Sequence, residues 1–257
     1  MVVADLHVHT TRSDGTLTLE AVPEAARSAG VEVVALTDHD RMQPALDAPV
    51  TEREGITVVH GIELRVDAGD LRVDLLGYGV DPTPALTELV EAIQRDRAAR
   101  GRAIVECVED RLGVALGVEP RPGLGRPHIA RAVEESPADY DYQDAFDHLI
   151  GDDCPCYVAR DIPTFEHGRE VLTEACGVVG LAHPLRYEDP DAALDLTADL
   201  DAVERHYPYA HDADPTPVDR AIEAHDLFAT GGSDAHDEQL GRAGLDRAAT
   251  ERLLAAL

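Results

Sequence analysis

Val2-Val3-Ala4-Asp5-Leu6-His7-Val8-His9 opens the chain, and the way this stretch ends decides the fold. Val2 to Leu6 reads as a short strand, and it hands directly to two histidines one residue apart. Side chains two apart on an extended backbone point the same way, so His7 and His9 reach one point in space. The arrangement recurs along the chain. Val31 to Leu36 runs into Thr37-Asp38-His39, and Ile56 to Val59 runs into Gly61-Ile62-Glu63. Later, Val178 to Ala182 runs into His183-Pro184, and Leu227 to Thr230 into Ser233-Asp234-Ala235-His236. Buried parallel strands that each deliver a ligand-type residue at their carboxyl end describe a closed α/β sheet with one site at its mouth.

Helical patterns fill the gaps between these strands. Leu19 to Ala29 reads as a helix ending at Gly30, and further helices are expected over Arg169 to Ala175, Val218 to His225 and Asp246 to Leu257, with a strand at Ala202-Val203-Glu204. The strand and helix alternation indicates βαβ units and a parallel sheet. Between residues 82 and 155 the rhythm changes. Leu86 to Leu112 is a long amphipathic pattern with Leu89, Ile93 and Ile104 on one side, Pro120-Arg121-Pro122-Gly123 interrupts, and shorter helical stretches follow at Ile129 to Glu135 and Gln143 to Ile150. The expected division is a barrel over 1–81 and 156–257 and a helical insertion over 82–155.

The 257 residues suffice for one large α/β domain. Acidic residues number 51 against 22 basic ones, a formal charge of −29, and every basic residue is arginine. Such a surface repels polyanions, so an extended nucleic-acid face and an anionic membrane are excluded as partners. The acidity reads as halophilic adaptation of the whole surface, because dense carboxylates stay hydrated and their repulsion is screened in a salt-rich cytoplasm. Cys107, Cys154, Cys156 and Cys176 follow no zinc-finger spacing and are expected to be free intracellular thiols. With no signal-peptide pattern and no apolar run of membrane-spanning length, a soluble cytoplasmic protein is expected.

Imidazole nitrogens and carboxylate oxygens together suit Mn, Fe or Zn, and a site holding several such ions needs bridging carboxylates to offset their mutual repulsion. Taken singly, some positions have plain explanations: Ser13-Asp14-Gly15 has the composition of a turn, and His39 suits a capped loop. Glu63 is harder to explain, because an unpaired carboxylate near a core is costly. The ensemble, with ligand types at the ends of most predicted strands, points to a shared metal site.

The order His-x-His, Thr-Asp-His, Gly-Ile-Glu, Ala-His-Pro and Ser-Asp-Ala-His resembles the PHP (polymerase and histidinol phosphatase) superfamily over essentially the whole chain. That resemblance implies a distorted (β/α)7 TIM-like barrel and a phosphoesterase with two or three divalent ions. Carried over by position, His7, His9, Glu63 and Asp234 hold one ion. Asp14, His39 and His236 hold another, and Glu63 bridges to a third that His183 also binds. The family's further histidine for the third ion falls at Asp74, within Val73-Asp74-Leu75-Leu76-Gly77-Tyr78. The carboxylate substitution there bears on occupancy and metal preference.

Gly125-Arg126-Pro127-His128 opens a predicted helix, and Arg126 and His128 resemble the substrate-phosphate element of nucleoside bisphosphate phosphatases and small exoribonucleases. The implied chemistry is in-line attack by a metal-bound hydroxide, with Glu63 and Asp234 at the catalytic centre. His206 and His211 are weighed as proton donors to the leaving alcohol and not assigned. The expected substrate is a small phosphorylated nucleotide, such as a nucleoside 3′,5′-bisphosphate. Alternatives are a 5′-3′ exonuclease on short RNA or DNA ends, a histidinol-phosphate phosphatase, and an inactive metal-binding module. With no Trp and three Phe, the chain offers few stacking platforms for a long strand. The oligomeric state is open.

Overall fold

β1 (Ala4–Val8) is buried along its whole length. α1 (Val22–Ala29) carries Pro23 in its first turn and ends at Gly30, which adopts φ 72°. Proline is tolerated where the first N–H groups have no helical partner, and glycine takes the left-handed conformation without a Cβ clash. β2 (Val33–Leu36), the short β3 (Val50–Arg53), the long β4 (Ile56–Asp67) and β5 (Arg72–Tyr78) come next. α2 (Pro84–Leu112), α3 (Arg126–Glu134), α4 (Tyr142–Ala145) and a π-type turn at Phe146–Ile150 follow. The alternation then resumes with α5 (Phe165–Ala175), β6 (Val178–Leu181), α6 (Pro190–Asp195), β7 (Ala202–His206), α7 (Thr216–His225), β8 (Phe228–Gly231) and α8 (Arg247–Leu254). The computed structural model describes residues 1–210 and 213–257. These form two units, residues 1–88 with 162–257, and residues 89–161.

In the first unit the sheet runs β1-β2-β4-β5-β6-β7-β8, with β3 paired beside β4. Its ends meet just beyond β8, where Val8 bridges Ala235. The His9 N–H donates to the Ala235 carbonyl at 2.9 Å, and the Ala235 N–H to that of His7 at 3.3 Å. Closure depends on Gly232, since a Cβ there would stand 2.3 Å from the His7 nitrogen. The distorted, TIM-like seven-strand path is the architecture the sequence leads one to expect.

Two details differ from that expectation. The sheet is not wholly parallel, because β5 runs antiparallel to both β4 and β6. The four-residue link Ala68-Gly69-Asp70-Leu71 joining β4 to β5 is too short for a crossover helix, so only a hairpin is possible. β4 also does not stop at Val59, so Glu63 and Asp74 lie within strands and not beyond their ends. Thr57 to His60 pair in parallel with β2, and Gly61 to Asp67 pair with β5. Gly61 sits at the changeover, where a Cβ would come within 3.0 Å of the Leu36 and Gly77 carbonyl oxygens. Any side chain would force the strands apart at this crossing.

The second unit has its own core of Ile104, Val108, Leu124, Ile129, Val133 and Leu149. It also corrects the reading of the cysteines, because Cys107 on α2 and Cys156 after the π-type turn form a disulfide. The partners are 49 residues apart and meet only through folding, so their spacing carried no sign of the pairing. Cys154 and Cys176 are free. Among the described residues no helix is long and apolar enough to cross a membrane.

Candidate metal centre

At the mouth of the first unit, three overlapping groups bring their ligand atoms within 4.8 Å of one another: His7, His9 and Glu63; His9, Asp14, His39 and His236; and Glu63, Asp74 and His183. Glu63 is completely buried and joins them. Its Oε2 lies 2.7 Å from His39 Nδ1, 3.3 Å from His9 Nε2 and 3.4 Å from His7 Nε2, while its Oε1 lies 3.1 Å from His183 Nε2. Asp234 Oδ1 adds contacts of 3.1 Å to His9 and 3.5 Å to His7. Asp14 sits 3.4 Å from His236 and 3.8 Å from His39. The nine candidate ligands read from the sequence therefore converge on one place.

The donor set fits divalent ions on the structure's own terms. His7 Nε2, His9 Nε2 and Glu63 Oε2 are buried and, despite these short contacts, make no well-aligned hydrogen bond, a costly state that a coordinated cation relieves. Electrostatics point the same way. Burial opposes charge on His39, but Glu63 and Asp14 outweigh it and raise its pKa to about 9. Burial likewise opposes charge on His7, and Glu204 with Glu63 holds it protonated well above the usual range. Burial works against the Glu63 carboxylate too, yet His39 and His7 keep it ionised far below its ordinary value. His9, buried beside His39, falls to about 4 and stays neutral. The ring of carboxylates demands positive charge at its centre.

Further carboxylates hold this constellation without joining it. Asp38 accepts from the Thr10 N–H at 2.8 Å, the Thr10 hydroxyl at 2.7 Å, and the Ser13 N–H and hydroxyl at 3.1 and 2.7 Å, which fixes the loop bearing Asp14. Asp5 accepts from the Ser233 N–H at 2.8 Å and its hydroxyl at 2.5 Å, just ahead of Asp234. Glu204, fully buried on β7, lies 3.1 Å from His7 Nδ1 and accepts the His183 N–H at 2.7 Å. A carboxylate on Nδ1 fixes the tautomer that leaves Nε2 as the ligand. His183 and Asp234 adopt φ of 29° and 50°, sparsely populated for residues with a Cβ. Such strain clusters where a side chain must be aimed.

A cavity of about 540 Å³ opens over the ligands and is also lined by Arg65, Arg186, Tyr187 and Tyr207. Arg186 donates to Asp234 Oδ2 at 3.0 Å and to the Tyr207 hydroxyl at 2.9 Å, and that hydroxyl donates to Asp234 at 2.8 Å. The sequence reading missed Arg65, Arg186 and Tyr187, which stand in no ligand-like spacing. Glu204 appeared there only as the end of a strand. His206 lies outside this cavity, beside a separate one of about 450 Å³. His211 lies outside the described residues.

Arg126 and His128 belong to the second unit, at the first turn of α3. Arg126 donates to Asp152 at 2.8 Å and to the Ile150 carbonyl at 3.3 Å, and its guanidinium lies over the Phe146 and Tyr157 rings. His128 Nδ1 accepts the Gly125 N–H at 3.1 Å and so caps its own helix.

A barrel with histidines and carboxylates gathered at its mouth, beneath an arginine-lined cavity, defines a metal-dependent phosphoesterase, a hydrolase of phosphoric ester bonds. Residues 5–150 match the PHP domain, and the chain belongs to that family. It is 28% identical to the 3′,5′-nucleoside bisphosphate phosphatase of Chromobacterium violaceum, covering 98% of this chain and 93% of the relative. It is 32% identical to the phosphoribosyl 1,2-cyclic phosphate 1,2-diphosphodiesterase of Eggerthella lenta, with 91% and 94% covered. Identity to the 5′-3′ exoribonuclease Rnm of Escherichia coli is 30%, with 94% and 89% covered. A crystal structure described as a metal-dependent phosphoesterase from Bifidobacterium adolescentis superposes with a TM-score of 0.79 at 25% identity, covering 99% of this chain and 96% of that one.

Proposed function

We propose that the chain releases inorganic phosphate from a phosphomonoester of a small nucleotide, such as a nucleoside 3′,5′-bisphosphate, in a salt-rich cytoplasm. Two or three Mn, Fe or Zn ions are held by His7, His9, Asp14, His39, Glu63, Asp74, His183, Asp234 and His236. The observation that carries the reading is Glu63, a buried carboxylate facing four imidazoles beneath a cavity of nucleotide size. Bound ions supply Lewis acidity toward phosphoryl oxygens and activation of the attacking water. The chain's own residues do the rest. Glu204 fixes His7, Glu63 and Asp234 align the reacting centre, and Arg186 with Tyr207 donates to non-bridging phosphoryl oxygens. In this reading Arg126 and His128 serve a substrate phosphate, with Arg126 exchanging Asp152 for it.

The near full-length similarity to a bisphosphate phosphatase supports the small substrate, as do the size of the cavity and the scarcity of stacking aromatics. A second reading, 5′-3′ exonuclease action on short RNA ends, is favoured by the exoribonuclease relatives. Phosphate release from adenosine 3′,5′-bisphosphate, compared with mononucleotide release from a short 5′-phosphorylated RNA, both with Mn²⁺ in high salt, separates them. The proposal expects the bisphosphate to have the higher kcat/KM. Faster turnover of the RNA would replace it with the exonuclease reading.

A further inference from the structure

Among the carboxylates of the centre, Asp74 alone meets a cation directly across a strand pair. Arg65 and Asp74 occupy opposite positions on β4 and β5, and Arg65 Nε lies 3.1 Å from Asp74 Oδ1. The remaining oxygen, Oδ2, lies 3.6 Å from His183 Nε2 and faces the group formed with Glu63. Asp74 is buried, while about a third of the Arg65 side chain (36%) remains exposed, so the pair is shielded from water on the carboxylate side and partly screened on the guanidinium side.

The charge balance of the three groups is unequal. The group of His7, His9 and Glu63 has two imidazoles and the neighbouring Asp234. The group around Asp14 has three imidazoles and a carboxylate whose ion pairs are with histidines. The group of Glu63, Asp74 and His183 has one imidazole, and its Glu63 is shared with the first group. Its only unshared negative charge is Asp74, and Arg65 offsets that charge. Arg186 also pairs with Asp234, but through Oδ2, while the contacts to His7 and His9 use Oδ1 and leave both imidazoles in place.

We infer that Arg65 makes the Glu63, Asp74 and His183 position a weak, exchangeable site for a divalent cation, filled after the rest of the centre. The inference rests on the metal-centre reading above and deepens it. The cation there loses affinity twice, through direct repulsion from the guanidinium and through the competing claim on Asp74. Replacing Arg65 with an uncharged side chain of similar length removes both penalties.

Calorimetric titration of the full-length protein with Mn²⁺, paired with elemental analysis after dialysis, tests this directly. The wild type is expected to keep its tighter ions through dialysis and to show one further, weaker class of site. Arg65→Met tightens that class at least tenfold, Arg65→Lys leaves it weak, and Asp74→Asn removes it while the dialysis-resistant ions remain. A single class of equal affinity in the wild type overturns the inference and needs no variant to do so. Unchanged or weaker binding in a folded Arg65→Met protein overturns it as well. Wild-type protein that binds no Mn²⁺ at any concentration overturns the metal-centre reading itself, which keeps the two failures distinct.

Discussion

Glu63 contacts His7, His9 and His39 through one oxygen and His183 through the other, so its charge serves the whole centre. Glu63→Gln keeps the shape and removes the charge. It is expected to lose at least one bound ion and to lower kcat by roughly 100- to 1000-fold, as removal of a preorganised electrostatic group does. Full metal content with wild-type turnover would take Glu63 out of the site. Glu204→Gln acts through His7, and loss of the carboxylate on Nδ1 is expected to weaken metal binding roughly 10- to 100-fold, measured by competition with a chelating dye. Protonation sets a further expectation. His39, raised to about 9, and His7, raised well above its usual range, carry protons at neutral pH that an incoming cation displaces. Below these pKa values Mn²⁺ affinity therefore rises with pH, by about tenfold per unit for each proton released, and titrations at pH 6.5 and 8.5 read it. The paired histidines were legible because their spacing matches a strand. Glu204 was not, because one carboxylate within Ala202-Val203-Glu204 looks like the end of a strand until its burial against His7 is seen.

At the scale of elements, β4 organises the site by changing partners midway. Its parallel half extends the β1 and β2 ladder, and its antiparallel half places Glu63 opposite Leu76 and Arg65 opposite Asp74. The sequence showed an apolar run, a glycine and a glutamate, which reads as strand, turn and loop. The continuation beyond Gly61 was hidden because glycine is also the common turn residue, and only the close approach of the Leu36 and Gly77 carbonyls shows why glycine is needed within a strand. Gly61→Ala is accordingly expected to cost about 1–3 kcal/mol, the usual penalty of overpacking, in denaturant unfolding of the whole chain. A cost near zero would mean that β4 does not cross there as tightly as described. The antiparallel β5 was missed for a related reason. A polar turn between apolar strands is compatible with either a hairpin or a short link to a helix, and its length decides which.

For the whole molecule, the −29 charge has to coexist with an anionic substrate. The site reconciles them locally, because buried carboxylates are matched to imidazoles, Arg65 and Arg186 line the cavity, and bound cations add further positive charge. Over the whole chain compensation is far from complete, with 51 acidic residues against 22 arginines, and ion pairs such as Arg27 with Glu24 and Glu54 offset only a fraction of it. Raising KCl from 0.1 M to 2 M shortens the screening length from about 10 Å to about 3 Å or less. Relief of that self-repulsion is expected to raise the Tm by roughly 10 °C, equivalent to a few kcal/mol for a chain of this size, read by a thermal scan against salt. The barrel class and most of the converging histidines and carboxylates were legible from residue order because they stand in or just after short apolar runs, while Asp74 entered only through the family resemblance. The disulfide and the arginine partners were not, since they join residues that only the folded chain brings together.

The most direct test of the metal centre is anomalous diffraction at the manganese edge from crystals grown with Mn²⁺. The account predicts peaks bounded by His7, His9, Glu63 and Asp234 and by Asp14, His39 and His236, with Glu63 oxygens within about 2.0–2.3 Å of an ion. A map with no peak beside Glu63, or with manganese bound only at surface carboxylates, would contradict it.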